Sequence, residues 1–211
     1  MLQIRSFGWH GTRQPRGRGA DAIFDFMFDV HALPDRAGPL SRREYDQLVD
    51  QGYFADERIE LLRGELVEMS PQKWPHAAAV SFLNEQLVLQ LAGRYEVRPQ
   101  LPFAADDWSE PEPDLAVAHK APTRREHPTE LLLVIEVADS SLRIDRETKR
   151  TIYAEAGVPE YWIVDVNGVT VDVYTAPING TYANVQTLSD GDVLRPTLLL
   201  EVSIRIADIP R

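Results

Sequence analysis

The chain has 211 residues, 44% of them hydrophobic and 26% charged, with no cysteine and a formal net charge of −11 at pH 7. That length suits one domain, or one domain with an appendage; the missing thiols exclude disulfides, thiolate metal sites and cysteine nucleophiles, and fit a reducing cytoplasm. There is no apolar run of about 18 residues to cross a membrane, and the basic N-terminus lacks the apolar stretch of a secretory signal.

Residues 1–38 differ from the rest. RQPRGRG is Gly/Arg-rich, and FDFMFDVHALPDRAGP is aromatic and then Pro/Gly-punctuated, with no period that would make a domain. They are expected to form a flexible or partly ordered extension ahead of a domain over 39–211. Ser41 with Glu44 makes a capping-box pattern that opens a short helix through Val49. RIELLRGELVEMS reads as two strands around Arg63-Gly64. Residues 75–92 form a helix, with Ala78, Phe82, Leu83, Leu87 and Leu91 at helical spacing and Pro75 in its first turn.

YEVRPQL and DLAVA are short strands, separated by ADDWSEPEP, whose Asp106, Asp107, Glu110 and Glu112 read as a solvated loop. LLLVIEV has the near-continuous apolar character of a central strand buried on both faces. Residues 143–156 form a polar helix ending at Gly157, with Pro159 just beyond. YWIVDV is another buried strand, and Asn167-Gly168 turns it into VTVDVYTA. TYANVQTL and a final apolar strand at 198–204 finish the sheet. This order predicts an α/β fold: a central mixed sheet flanked by helices, with an antiparallel C-terminal half.

Three carboxylates stand where apolar strands begin or are interrupted. Asp114 opens DLAVA, Glu136 sits inside LLLVIEV, and Glu60 lies between Ile59 and Leu61. A carboxylate in a buried strand is costly unless it is paired or holds a metal. If they converge, they make an oxygen-rich site suited to Mg²⁺ or Mn²⁺; the alternative is that each pairs with an arginine or faces solvent from a sheet edge. Asp145, Lys149 and Tyr153 follow at i, i+4 and i+8 on one helix face, a spacing that by itself reads as a surface ion pair. His76, at the start of the long helix, suits either a substrate contact or a local cap. Tyr161, Trp162 and Asp165 read as packing and strand-end residues.

Other chemistries find no motif. There is no phosphate-cradling Gly-rich loop, no G-x-S-x-G, no H-E-x-x-H and no dinucleotide fingerprint. The acidic balance argues against a broad phosphate-binding surface, but it leaves room for a small cleft in which a divalent cation supplies the positive charge.

LVIEVADSSLRIDRETKRTIYAEAGVPEYWIVDV closely resembles the signature region of the Uma-two family of restriction endonucleases, bacterial domains with the PD-(D/E)XK nuclease fold. The likeness runs from SRREYDQLV through RIELLRGELVEMSP, the histidine after it and PEPDLAVA to the final strand. Its most specific part is E-V-x-x-S … D-x-x-x-K … Y-x-x-x-G-V-P-E-Y-W-I-V-D. The resemblance implies that Asp114 is the aspartate of the first half-motif and Glu136 the acidic residue of the second. The usual lysine lies two residues after that glutamate. Ala138 stands there, and the resemblance points instead to Lys149 on the following helix.

Glu60 resembles an additional acidic residue from the N-terminal part of the fold. On this implication Asp114, Glu136, Glu60 and the Val137 carbonyl hold Mg²⁺ or Mn²⁺. Lys149 orients the attacking water, and His76, Asp145 and Tyr153 lend support. The implied activity is Mg²⁺-dependent hydrolysis of DNA phosphodiester bonds, by a monomer or a homodimer. The competing reading is a nuclease-fold module that binds nucleic acid or a partner without cleaving.

Overall fold

The computed structural model describes residues 38–55, 57–121, 123 and 125–211; the expectation for the N-terminal extension therefore lies outside the described residues, apart from Gly38. Among the described residues no helix is long and apolar enough to cross a membrane. Helix α1 (Arg42–Asp50) starts from Ser41, whose backbone N–H donates to Glu44 Oε2 at 3.0 Å, as the capping box predicts. The hairpin β1 (Ile59–Leu62) and β2 (Glu65–Glu68) turns at Arg63-Gly64, both with positive φ (56° and 80°). Two left-handed residues in succession give a turn whose twist matches the strands it joins.

Helix α2 (Trp74–Leu91) carries Pro75 in its first turn. Strands β3 (Glu96–Pro99), β4 (Leu115–Ala118), β5 (Leu133–Ala138), β6 (Glu160–Asp165), β7 (Thr170–Ile178) and β8 (Thr181–Leu188) form one six-stranded sheet in chain order. All neighbours are antiparallel except β5 and β6, so the sheet is mixed and its C-terminal half is antiparallel. The parallel pair needs a crossover, and helix α3 provides it. This helix has three parts: an α turn Leu142–Ile144, a π-helical segment Asp145–Lys149 and an α stretch Arg150–Glu155.

Alternation along the strands sorts side chains between two layers. Leu133, Ile135 and Val137 of β5 join Leu115, Val117, Trp162 and Val164 in a core closed by Leu83, Leu87 and Leu91 of α2. Val134 and Ala138 point the other way, with Ala116, Ala118, Tyr153, Tyr161 and Ile163 under α3. Glu136 shares that second face by parity.

Two expectations are corrected. The stretch 198–204 is not a strand of the six-stranded sheet: Leu199 and Val202 are buried in irregular chain. Only Ile204–Arg205 (β10) is extended, paired with Val193–Leu194 (β9) outside the main sheet. Nor is the loop at 105–113 simply solvated, because Glu110 is 3% exposed and Ser109 fully buried. The reason is backbone pairing: Glu110 N–H donates to Leu61 O at 2.7 Å, tying the loop to β1.

Candidate active site

The site lies where the β1–β2 hairpin, the start of α2, the ends of β4 and β5 and the π-helical segment of α3 meet. Register brings Asp114 beside Glu136, since Leu115 pairs with Ile135 on the antiparallel neighbour. Asp114 N–H donates to Glu136 Oε2 at 3.3 Å, and Val137 N–H donates to Asp114 Oδ2 at 2.9 Å. His76 Nε2 lies 3.0 Å from the same Asp114 oxygen, carried there by the first turn of α2. His76 Nδ1 is buried with no hydrogen-bond partner among the described residues.

Glu136 is 3% exposed, and Lys149, 4% exposed, reaches it from α3. Lys149 Nζ stands 3.0 Å from Glu136 Oε1 and 3.0 Å from Glu60 Oε2, bridging strands that share no sheet. Tyr153 OH donates to Glu136 Oε1 at 2.7 Å, and Glu112 N–H donates to Glu60 Oε2 at 3.2 Å. Asp145 is 1% exposed and accepts from Ser141 Oγ at 2.6 Å.

The i, i+4 pair Asp145 and Lys149 is therefore no surface ion pair. Both are buried residues of the π-helical segment, in which Arg150 N–H bonds Asp145 O. The arginine between them stays outside and anchors the segment: Arg146 Nε and Nη2 donate to Asp172 Oδ2 at 2.9 and 2.7 Å. Tyr161 OH also donates to Asp145 O, at 3.2 Å.

Burial and mutual charge set the protonation of this cluster. Burial pushes the Glu136 carboxyl well above the usual carboxylate range, and Lys149 pulls against it. Burial likewise lifts Asp145 to about 6 despite Lys149 and Ser141. For Asp114 burial is outweighed by His76 and the Val137 N–H, which hold the carboxyl low. Burial opposes the Lys149 charge, but Glu136, Glu60 and Asp145 override it and keep the ammonium protonated. One cation thus sits among several buried carboxyl groups, an arrangement that folding alone does not call for.

The groups open onto a cleft of about 80 Å³ lined by Glu60, His76, Asp114, Glu136, Asp145 and Lys149. Arg58, Ser70, Gln72, Lys73, Asp139 and Ser141 also line it, polar loop residues that carry no periodic signal in a sequence. Lys73 Nζ pairs with Asp139 at 3.0 Å at the rim. Val137 and Tyr153 lie beneath the cleft: Val137 meets Asp114 through its N–H, and Tyr153 is fully buried. Asp165 is elsewhere, accepting from Asn167 and Gly168 N–H in the turn after β6. The Glu112 carboxylate faces Arg58 at 4.0 Å.

The donor set is all oxygen plus one imidazole, the chemistry of a hard divalent cation. Among the described residues, no three His, Asp or Glu side chains are already grouped as metal ligands. Mg²⁺ fits such a site because it retains waters and uses one or two carboxylates together with substrate phosphate.

A family model described as "Putative restriction endonuclease", Uma2, matches residues 42–207. No curated protein matches the chain. Among solved structures, the crystal structure of "a putative nuclease belonging to DUF820" from Anabaena variabilis ATCC 29413 is similar at 15% identity and a TM-score of 0.64. The match covers 81% of this chain and 97% of that one. The mixed sheet with its flanking helices is the restriction-endonuclease-like fold expected from the sequence.

Proposed function

We propose, from the premise that this chain belongs to the Uma2 family, that it is a divalent-metal-dependent endonuclease hydrolysing DNA phosphodiester bonds. The observation that carries this reading is Glu136: a carboxylate 3% exposed in a central strand, hydrogen-bonded to Asp114, Lys149 and Tyr153 at one cleft.

Asp114 and Glu136 would hold Mg²⁺ or Mn²⁺, with Glu60 and the Val137 carbonyl completing the shell directly or through water. The ion supplies Lewis acidity and a water nucleophile at neutral pH. His76 and the Val137 N–H fix Asp114 in its charged form. Tyr153 aligns Glu136. Lys149 offers its ammonium to the negative charge that develops on the phosphoryl oxygens as water adds to phosphorus and the P–O bond breaks. Asp145 and Ser141 brace the turn of α3 that delivers Lys149.

Cleavage of plasmid and single-stranded DNA with Mg²⁺ or Mn²⁺, and its loss on chelation, tests the reading. Full activity in Asp114→Asn or Glu136→Gln would sink the assignment. The net charge of −11 favours a second reading, a nuclease-fold module that binds nucleic acid or a partner without catalysis; metal-independent DNA binding with no cleavage is its signature. A double-strand break takes two nicks and a homodimer supplies two sites for them; analytical ultracentrifugation on duplex substrate tests for that dimer.

A further inference from the structure

We infer that Lys149 is the resident cation of the acidic cluster and that a divalent metal binds in competition with its ammonium group, an inference resting on the metal-dependent reading above. Lys149 Nζ is 3.0 Å from both Glu136 Oε1 and Glu60 Oε2, oxygens of two of the six carboxylates that line the cleft. Two neighbouring oxygens are also engaged. Glu136 Oε2 accepts from Asp114 N–H, and Asp114 Oδ2 accepts from Val137 N–H and faces His76. Among the described residues, no three His, Asp or Glu side chains are grouped to share an ion.

An ammonium and a divalent cation cannot both sit between Glu60 and Glu136 without strong repulsion at contact distance. Binding of the metal then requires Nζ to leave at least Glu136 Oε1. The stem of Lys149 is flexible, and the side chain lines the open cleft, so a path for that movement exists. A phosphodiester arriving in the cleft gives the displaced ammonium a new anionic partner. Metal and phosphate therefore help each other to bind, as coupled ligands must.

Two experiments decide this. Calorimetric titration with Mn²⁺ alone compares wild type, Lys149→Gln and the charge-retaining Lys149→Arg. Lys149→Gln is expected to bind at least about tenfold tighter than wild type, with Lys149→Arg close to wild type. Equal or weaker binding by Lys149→Gln, with wild type binding measurably, overturns the competition and leaves the metal reading standing. No binding by any of the three overturns both.

The second experiment needs no variant. In the wild-type protein, acetylation of Lys149 followed by mass spectrometry is expected to speed up several-fold on adding Mn²⁺, with exposed Lys120 as the internal reference. Unchanged or slower labelling of Lys149 in protein shown calorimetrically to bind Mn²⁺ overturns the inference.

Discussion

Lys149 Nζ lies 3.0 Å from Glu136 Oε1, and the helix that carries Lys149 leaves α-helical winding over Asp145–Lys149 to place it there. In a regular α-helix, residues four apart differ by about 40° around the axis. That offset keeps Asp145 and Lys149, the first and last residues of the π turn, on the inward side, while Arg146 stays partly exposed. The winding has external supports, from Arg146 to Asp172 on β7 and from Tyr161 to the Asp145 carbonyl.

Arg146→Ala tests whether those supports set the site. Asp172 is 6% exposed and would keep only the Thr187 hydroxyl, at 2.7 Å. Loss of a two-bond contact to a carboxylate, with the arginine partly solvated, costs about 1–2 kcal/mol in urea denaturation. Cleavage should fall further than stability does, because Lys149 loses its fixed origin. Arg146→Lys, which restores the charge without the fork, should fall between the two. An Arg146→Ala protein with wild-type stability would show that the bulge holds itself.

Glu136→Gln and Glu136→Ala should separate chemistry from packing. Glutamine keeps an acceptor for Tyr153 OH and Lys149 Nζ but turns its NH2 toward Asp114 N–H, so it should cost about 1–2 kcal/mol of stability while cleavage drops at least about 10²-fold. Alanine leaves a buried hydroxyl and one side of a buried ammonium without partners. It should fold but be less stable than the glutamine variant by about 3 kcal/mol. Equal stability of the two would mean that water replaces the carboxylate.

Much of this was legible in the sequence. The capping box at Ser41, the Arg63-Gly64 turn, the long helix and the strands around Glu136 and Trp162 all appear within a few residues of their expected bounds. Local chemistry specifies them: caps, left-handed turns, and apolar runs too rich to be anything but buried strand. What stayed hidden depends on tertiary context. Asp145 and Lys149 at i, i+4 carry no mark of a π turn, because its supports, Asp172 and Tyr161, lie far along the chain. Glu110 looked like one more acid in a polar loop, since its burial follows from pairing with Leu61 and not from its neighbours.

Gly64→Ala tests the turn that positions Glu60. A Cβ at Gly64 would run into Pro39 Cβ, and the residue holds φ at +80°. Left-handed backbone costs an L-residue roughly 1 kcal/mol and the clash adds to it, so a loss of about 2 kcal/mol or more is expected. Because Gly64 N–H donates to Trp108 O and Leu40 N–H to Gly64 O, a shifted turn also loosens the loop over Glu60. Unaltered stability in Gly64→Ala would show that the Pro39 segment moves freely.

Glu110 should make stability depend on pH. Burial, with Asp46 nearby, pushes its carboxyl up to about 7, against the pull of Arg42. Its Oε2 has no hydrogen-bond partner among the described residues, and Arg42 Nη1 is 3.7 Å away. Below the ordinary carboxylate pKa both folded and unfolded chains hold the proton, and this residue imposes no penalty. As pH rises toward 7 the unfolded chain releases its proton while the folded chain keeps it, so stability falls, and above 7 the loss levels off. Glu110→Gln removes this penalty. Urea denaturation at pH 8 should find the variant more stable than wild type by about 1–2 kcal/mol, after discounting for screening. At pH 4.5 the two should nearly coincide. A gain of the same size at both pH values would trace the effect to packing, and a loss at pH 8 would mean that the ionised carboxylate is held by Arg42 after all.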